Sequence, residues 1–284
     1  MKPFLGIDLT ENKKNEQFNG SCFLVSQPSS AMAQAIKNST ERAEATIEHA
    51  KLPAVLRIGQ WVCGAVGAIV AAGILRGLGN VTLQEAYQNA SWLFWLAGGC
   101  LLVWAILKIV STQKEKAVLG TEESTHTLSN LDSTCSAVYS ELSVPADAKE
   151  VDILSFFYKV KNGEIKVCEK GMQITPYFNP VFKIYSDSDH LYIANLEGKY
   201  AFPLSAISSI RTIKKHIRIP GWNKDEGYDK GIYKQYKLTA DNYGCIHCKH
   251  YHILEINHNG QLWGIYFPCY ELPVFESAAG LTAQ

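Results

Sequence analysis

Residues 58–75, IGQWVCGAVGAIVAAGIL, decide the architecture of this chain, because none of them carries a charge. As an α-helix this stretch would rise about 27 Å, enough to cross the hydrocarbon core of a bilayer. A second stretch, residues 90–110 (ASWLFWLAGGCLLVWAILKIV), holds one charge, Lys108, near its end. Two such runs separated by 14 residues predict a membrane-spanning helical hairpin rather than two buried helices of a water-soluble protein.

Lysine and arginine are distributed unevenly around the two predicted spans. The connecting loop, residues 76–89, holds only Arg76. Seven cations flank the hairpin on its other side: Lys37, Arg42, Lys51, Arg57, Lys108, Lys114 and Lys116. Because cytoplasmic loops carry the excess of Lys and Arg, both termini are expected in the cytoplasm. We therefore expect a multi-pass protein of the cell membrane, with the lipid bilayer as its first partner.

Small residues recur at every fourth position of the first span. They form two adjacent rows: Gly59, Cys63, Gly67 and Ala71, then Gly64, Ala68 and Ala72. Such rows let helix backbones approach closely in lipid. Two interpretations stay open, because this face can pack on the second span of the same chain or form a homo-oligomer. No ionised residue lies in the middle of either span, so no ion or proton pathway is indicated.

The chain around the hairpin divides by composition. Residues 1–28 lack periodicity and predict a flexible tail, whereas residues 29–52 have the alanine-rich pattern of a juxtamembrane helix. The narrow apolar face of that helix favours a solvated stalk over self-association. The hairpin occupies residues 54–111. Residues 112–127, rich in Lys, Glu, Ser and Thr, predict a linker, so the soluble domain is expected over residues 128–284.

Most of the soluble domain has the pattern of short strands. A short amphipathic helix over residues 128–142 precedes them. Apolar and aromatic runs predict strands over residues 151–161, 164–168, 181–185, 191–194, 199–202, 207–219, 233–238, 251–257 and 261–267. A final helix over residues 273–279 ends at Gly280. This order predicts an α+β domain, with an antiparallel β-rich sheet or half-barrel and a C-terminal capping helix.

Two Asn-Gly pairs predict the tightest turns of this domain. Asn162-Gly163 and Asn259-Gly260 each separate two predicted strands, and both residue types tolerate the positive φ of a two-residue hairpin turn. If the second turn is flanked by paired residues His258 and Gln261, continued pairing would place Cys269 opposite His250.

Two stretches carry a resemblance to a known kind of domain. Residues 200–210 (YAFPLSAISSI) and the strand-then-helix ending over residues 263–281 resemble the pleckstrin-homology-like domains of bacterial membrane proteins. The whole layout is similar to a group of uncharacterised bacterial membrane proteins with two spans. The resemblance implies a PH-like cytoplasmic domain that binds or scaffolds another membrane or cytoplasmic protein. It implies no activity, because such a fold hosts many functions.

The densest local cluster of candidate ligands is CIHCKHYH, residues 245–252. Its C-x-x-C spacing can form half of a zinc site. The predicted hairpin register suggests a closed site of four residues: Cys245, Cys248, His250 and Cys269. However, no second C-x-x-C pair is present, and Pro268 interrupts strand pairing before Cys269. The alternative is a pair of reduced thiols at a bend with exposed histidines, and no other cofactor is expected.

A basic run gives a second candidate site. On a strand with Ile217 and Ile219 facing inward, the cations Lys214, Lys215 and Arg218 would form an outward basic stripe. Near a membrane, such a stripe attracts anionic lipid by about 1 kcal/mol per cation. The favoured alternative is a solvated strand face whose charge is balanced by nearby acidic residues: Asp225, Glu226 and Asp229.

Composition and motifs limit the remaining function classes. The 27 basic and 27 acidic residues cancel, so charge indicates no nucleic-acid partner. The sequence has no phosphate-binding loop, nucleophile elbow or paired-His zinc helix, so an enzyme is not favoured. The main hypothesis is a membrane-tethered interaction module. The alternative is a metal- or thiol-dependent sensor or enzyme that uses Cys245 and Cys248.

Overall fold

The computed structural model describes residues 1–10, 17, 18, 20–79, 82–168, 182–219, 230–240 and 245–283. Two compact units share the chain: unit 1 comprises Met1–Ile36 and Cys135–Gln284, and unit 2 comprises Lys37–Thr134. Unit 2 is therefore an insertion in the sequence of unit 1. The helices are α1 (Ser30–Ala50), α2 (Ala54–Gly77), α3 (Leu83–Leu119), α4 (Glu122–Glu141), α5 (Lys230–Tyr236) and α6 (Leu272–Ala279).

Unit 2 contains two helices that are long and apolar enough to cross a membrane, α2 and the Tyr87–Leu119 part of α3. They pack on each other in antiparallel order, because Gly64 faces Trp104 and Gly67 faces Leu101. A Cβ atom at Gly67 would lie 2.9 Å from the Leu101 side chain, so glycine permits this close approach. Away from this contact the apolar side chains remain uncovered by protein.

The first small-residue row lies on the α3 side of α2. Gly67 is buried there, and Cys63 and Ala71 are half-buried. In the second row, Gly64 also faces α3, at Trp104, whereas Ala68 and Ala72 are exposed. This arrangement agrees with packing of the first row on the chain's own second span.

The secondary structure agrees with the prediction before the hairpin and differs from it after the hairpin. α1 lies within residues 29–52, the segment predicted to be helical. The predicted linker over residues 112–127 is instead largely helical, because α3 continues to Leu119 and α4 begins at Glu122. Gln113, Lys114, Glu115, Lys116 and Ala117 all favour helix, and the first glycine of the segment is Gly120.

Unit 1 is a mixed α+β structure. Its described strands are β1 (Lys2–Pro3), β2 (Leu5–Asp8), β3 (Gln17–Phe18), β4 (Leu24–Ser26), β5 (Lys149–Val151), β6 (Phe156–Lys161), β7 (Glu164–Val167), β8 (Phe182–Ser186), β9 (His190–Asn195), β10 (Gly198–Pro203), β11 (Ile207–Ile213), β12 (Ile217–Ile219), β13 (Thr239–Ala240), β14 (Ile246–Cys248), β15 (Tyr251–His258) and β16 (Gln261–Pro268). Their orders in the sheets are β1-β16-β15-β11, β4-β10-β9-β8-β5, β12-β14-β13 and β3-β2-β6-β7.

The main core of unit 1 contains side chains from two sheets, β1-β16-β15-β11 and β4-β10-β9-β8-β5, and from α6. Ile193, Phe202 and Leu254 are fully buried in it. Phe275 of α6 stacks on Phe267 of β16 with ring centroids 3.8 Å apart. The helix thus covers the sheet, and Gly280 ends it with a left-handed φ of 64°, as the sequence predicts.

The N-terminal segment is part of this core, so the prediction of a flexible tail over residues 1–28 is wrong for the described residues. Phe4, Leu5 and Phe23 are buried. The Phe4 ring makes edge contacts with Tyr200 and Phe202 at centroid distances of 5.1 and 5.3 Å. β1 pairs with β16 and β2 pairs with β6, both in parallel, so the sheets are mixed rather than purely antiparallel. Strands of two to four residues are too short for a period-two pattern to be recognised.

Both predicted hairpin turns are confirmed. The φ angles are 54° and 78° at Asn162 and Gly163, and 51° and 74° at Asn259 and Gly260. His258 pairs with Gln261, and the register continues to Tyr251 and Pro268. These are the positive φ values of a turn whose twist matches that of the flanking strands.

Two other strand predictions are wrong. Residues 207–219 form two strands in different sheets, β11 and β12, rather than one. The segment predicted as a strand over residues 233–238 lies mostly in α5. Ile232 and Tyr236, the apolar residues at either end of this stretch of α5, are four positions apart, a spacing that a helix also satisfies.

Candidate functional site

The corner between β16 and α6 brings together thiols, carboxyls and a phenol. Pro268 is the last residue of β16, and Cys269, Tyr270 and Glu271 form a single 3-10 turn that leads into α6. Asp152 follows β5 directly and reaches the same turn from a distant part of the sequence. We call Asp152, Cys248, Cys269, Tyr270 and Glu271 the corner cluster.

Two hydrogen bonds connect Asp152 to the turn. The Tyr270 hydroxyl donates to Oδ2 of Asp152 over 2.7 Å. The Asp152 backbone N–H donates to Oε1 of Glu271 over 3.1 Å. These bonds join residues more than 100 positions apart and hold the start of α6 against the segment after β5.

The carboxyls of this corner are held in an environment that disfavours negative charge. Burial and, to a smaller extent, the neighbouring Asp152 carboxylate raise the pKa of Glu271 to about 8, although the hydrogen bond from the Asp152 backbone lowers it in part. Burial also raises the pKa of Asp152, although the Tyr270 hydroxyl lowers it in part. Glu271 is therefore largely protonated at neutral pH.

Two of the cysteines meet in the same corner. Cys248 is the last residue of β14, and its buried side chain hydrogen-bonds with that of buried Cys269. This hydrogen bond, with burial, raises the pKa of Cys248. The same bond lowers the pKa of Cys269, which is thus the sulfur that more readily becomes a thiolate.

Two histidines follow β14, close to the cluster in sequence. His252 is buried, its ring stacks on Phe267, and its Nδ1 lies 3.2 Å from the Thr212 hydroxyl. Its Nε2 has no hydrogen-bond partner. Burial, with a smaller contribution from His250, lowers the pKa of His252 to about 4, so this ring is neutral at physiological pH.

The structure brings together two of the four residues of the predicted zinc site, Cys248 and Cys269. Cys269 does not pair with His250 on a strand, because pairing ends at Tyr251 and Pro268. Cys245 is buried just before β14, and His250 lies between β14 and β15. Within the described parts of the chain, no group of three or more His, Cys, Asp or Glu side chains is arranged to hold a metal ion. Zinc binding by these residues remains a prediction.

The predicted basic stripe is exposed but does not lie on one strand. Lys214 and Lys215 belong to the connection between β11 and β12, whereas Arg218 lies in β12. Ile217 and Ile219 are buried, as expected. The balancing acidic residues 225, 226 and 229 lie outside the described residues. Lipid attraction by this stripe stays a prediction.

Sequence reasoning missed Asp152, Tyr270 and Glu271. A short motif could not reveal them, because Asp152 stands more than 100 positions from its two partners. The available signal was the C-terminal turn itself, where a tyrosine and a glutamate follow Pro268 and Cys269 before the last helix.

A cavity lies in unit 2, where the helix dihedral angles break at Ala90. Its volume is about 360 Å³. The lining residues come from α2 and α3: Val70, Gly73, Ile74, Gly77, Asn89, Ala90, Leu93 and Phe94. The lining is almost entirely apolar.

Comparison with known proteins adds no assignment: no family model, no curated protein and no solved structure matches this chain.

Proposed function

We propose that this chain is a membrane-anchored interaction module, in which unit 2 is the anchor and unit 1 binds a partner in the cytoplasm. The observation that carries the proposal is the pair of long apolar helices with uncovered faces. Trp61 and Trp95 are 72% and 74% exposed, as are many aliphatic side chains around them. Faces of this size are unfavourable in water, whereas a bilayer covers them.

The orientation rests on charge. The seven cations that flank the hairpin, against one in its loop, favour a cytoplasmic location for both ends. The PH-like interpretation of unit 1 is supported by its sheets and by a C-terminal helix that packs Phe275 into the core. Such a domain supplies a binding surface beside the membrane.

Labelling with a membrane-impermeant maleimide tests the orientation. Cys22 is exposed in unit 1, and Gly79 ends the described part of the loop after α2. We expect a Gly79→Cys variant that also carries Cys22→Ser to react in intact cells. The chain with its natural Cys22 should react only after permeabilisation. The reverse pattern would contradict a cytoplasmic unit 1.

Affinity purification from native membranes in mild detergent tests the binding role. We expect a stoichiometric protein partner to co-purify with the full chain. The matched control is Phe4→Ala, used at a temperature at which limited proteolysis shows its unit 1 to be unfolded while the anchor remains in the membrane. A partner that the control retains equally would place binding in the hairpin and overturn the proposal.

A second candidate function rests on the contact between Cys248 and Cys269. A buried thiol pair in which the pKa of one sulfur is lowered supplies the reactive group that a thiol- or metal-dependent sensor needs. Metal analysis of the same purified sample decides between the candidates. Stoichiometric zinc that Cys248→Ser removes would favour the sensor, and its absence from the native protein would reject the zinc site of Cys245, Cys248, His250 and Cys269.

A further inference from the structure

Two histidines on the surface of unit 1 stand close together, away from the corner cluster. His247 is the central residue of β14, and His216 immediately precedes β12, the neighbouring strand. Nδ1 of His247 lies 3.0 Å from Nε2 of His216, and the ring centroids are 5.1 Å apart. His216 is exposed and His247 is half-buried, so both rings are accessible from solvent.

The strand register explains the meeting of these rings. His247 pairs with Arg218, and His216 stands two positions before Arg218, so the three side chains share a sheet face. Cys248, the next residue after His247, is fully buried on the opposite face. The histidine pair is therefore distinct from the thiols of the corner cluster.

The separation of the two ring nitrogens matches that of neighbouring ligands on one metal ion. With metal–nitrogen bonds of about 2.0–2.1 Å, two nitrogens lie about 2.9 Å apart at a right angle and about 3.3 Å apart at a tetrahedral angle. The observed 3.0 Å falls within this range. Small rotations of two accessible rings would direct both lone pairs at a common ion, which would replace the present hydrogen bond.

We propose that His216 and His247 chelate a divalent transition-metal ion through Nε2 and Nδ1, respectively. Imidazole nitrogen selects Zn²⁺, Ni²⁺ and Cu²⁺ over Ca²⁺ and Mg²⁺, which prefer oxygen. The protein supplies two ligands from β14 and the edge of β12, and water completes the coordination shell. The site would join these two strands through the ion.

The charge of Arg218 opposes metal binding and gives the proposal a second test. The Arg218 guanidinium stands on the same face, directly across from His247, and its positive charge repels a metal cation. Removal of this charge in Arg218→Gln should therefore tighten binding, whereas loss of either imidazole should weaken it.

Calorimetric titration of the full chain in detergent with Ni²⁺ at pH 7.5 tests the site. The protein must carry no oligohistidine tag, because a tag would bind the ion. We expect one Ni²⁺ per chain, and we expect His216→Ala and His247→Ala each to weaken binding by at least about tenfold. His126→Ala is the matched control, since His126 is an exposed histidine of α4, and it should leave the affinity unchanged.

Protection against heat gives an independent readout. Ni²⁺ should raise the Tm of the wild-type chain and of His126→Ala but not of the two alanine variants, since an ion that binds only the folded state stabilises it. Without metal, the alanine variants should unfold near the wild-type temperature because both rings are accessible. Any of three results would overturn the proposal. These are wild-type Ni²⁺ affinity in both alanine variants, loss of binding in Cys248→Ala alone, and no Ni²⁺ binding by the native chain.

Discussion

The protonation of Glu271, at the corner between β16 and α6, makes the stability of the protein depend on pH. Its pKa is about 8 in the folded protein and close to 4.5 in the unfolded chain, so the folded state binds more protons between these values. The free energy of unfolding therefore falls as pH rises from about 4.5 to about 8, and the loss is complete above that range. Partial exposure of the side chain reduces the effect to about 1–3 kcal/mol.

We predict that Glu271→Gln removes this part of the pH dependence. Glutamine resembles the protonated acid, and its amide oxygen can still accept the Asp152 N–H. The variant should match the wild type at pH 5 and have a Tm several degrees higher at pH 9, at about 2–4 °C per kcal/mol. Thermal unfolding followed by circular dichroism at both pH values measures it. Glu164→Gln, at an exposed position, serves as the control. If the Tm of Glu271→Gln changed with pH as much as the Tm of the wild type, the assignment would be contradicted.

The titration of His252 changes stability in the opposite direction, and it does so at acidic pH. Its pKa is about 4 when folded and near 6.5 when unfolded, so the unfolded chain binds more protons between these values. Stability is therefore lost as pH falls from about 6.5 to about 4. We predict that His252→Phe, which retains a ring against Phe267, reduces the loss of Tm between pH 7 and pH 5. His126→Gln should retain the wild-type loss, and so would His252→Phe if His252 were not buried in the neutral form.

At the scale of elements, the contact between α2 and α3 distinguishes two glycines of the same helix. A Cβ at Gly67 would lie 2.9 Å from the Leu101 side chain and 3.2 Å from its backbone nitrogen, whereas one at Gly73 would meet no atom within 4 Å. We predict that Gly67→Ile separates the helices and destabilises unit 2 by about 1–3 kcal/mol.

Gly73→Ile is the matched control for this prediction, because it adds the same side chain to an open position of α2. It should leave the unfolding temperature of the hairpin in detergent nearly unchanged. Thermal unfolding can be followed by tryptophan fluorescence, to which Trp104 at the helix contact contributes. Equal destabilisation by both substitutions would show that helix contact is not the cause.

Several elements were predictable from local sequence. The two Asn-Gly turns, the Gly280 cap and the pairing of β15 with β16 all follow from residues within a few positions of each other. α5 and the split of residues 207–219 were not predictable, because short apolar runs satisfy helix and strand patterns alike and tertiary packing decides between them.

At the scale of the whole molecule, unit 1 requires both parts of a chain that the hairpin interrupts. Phe4 comes from the first part and lies fully buried among Tyr200 and Phe202 of the second part. We predict that Phe4→Ala destabilises unit 1 by about 3–5 kcal/mol, as expected for removal of a buried aromatic ring. Val25, which is 56% exposed on β4, provides the control.

Val25→Ala should change the free energy of unfolding by no more than about 0.5 kcal/mol. Limited proteolysis in native membranes measures the difference without extraction: unit 1 of the Phe4→Ala variant should be cleaved much faster than that of the wild type or of Val25→Ala. Equal resistance of all three proteins would mean that the N-terminal segment is the dispensable tail that its sequence suggests.

The sequence by itself determined the two apolar helices, their length relative to a bilayer, the hairpin turns and the Gly280 cap, because each depends on neighbouring residues or on a continuous run. Only the tertiary structure decided that the first 26 residues contribute strands, that Cys248 meets Cys269, and that His216 meets His247. Asp152 likewise reaches Tyr270 and Glu271 only in the folded chain. These contacts join segments that are distant in sequence, and the free energy that selects them comes from burial in a shared core, which no local pattern records.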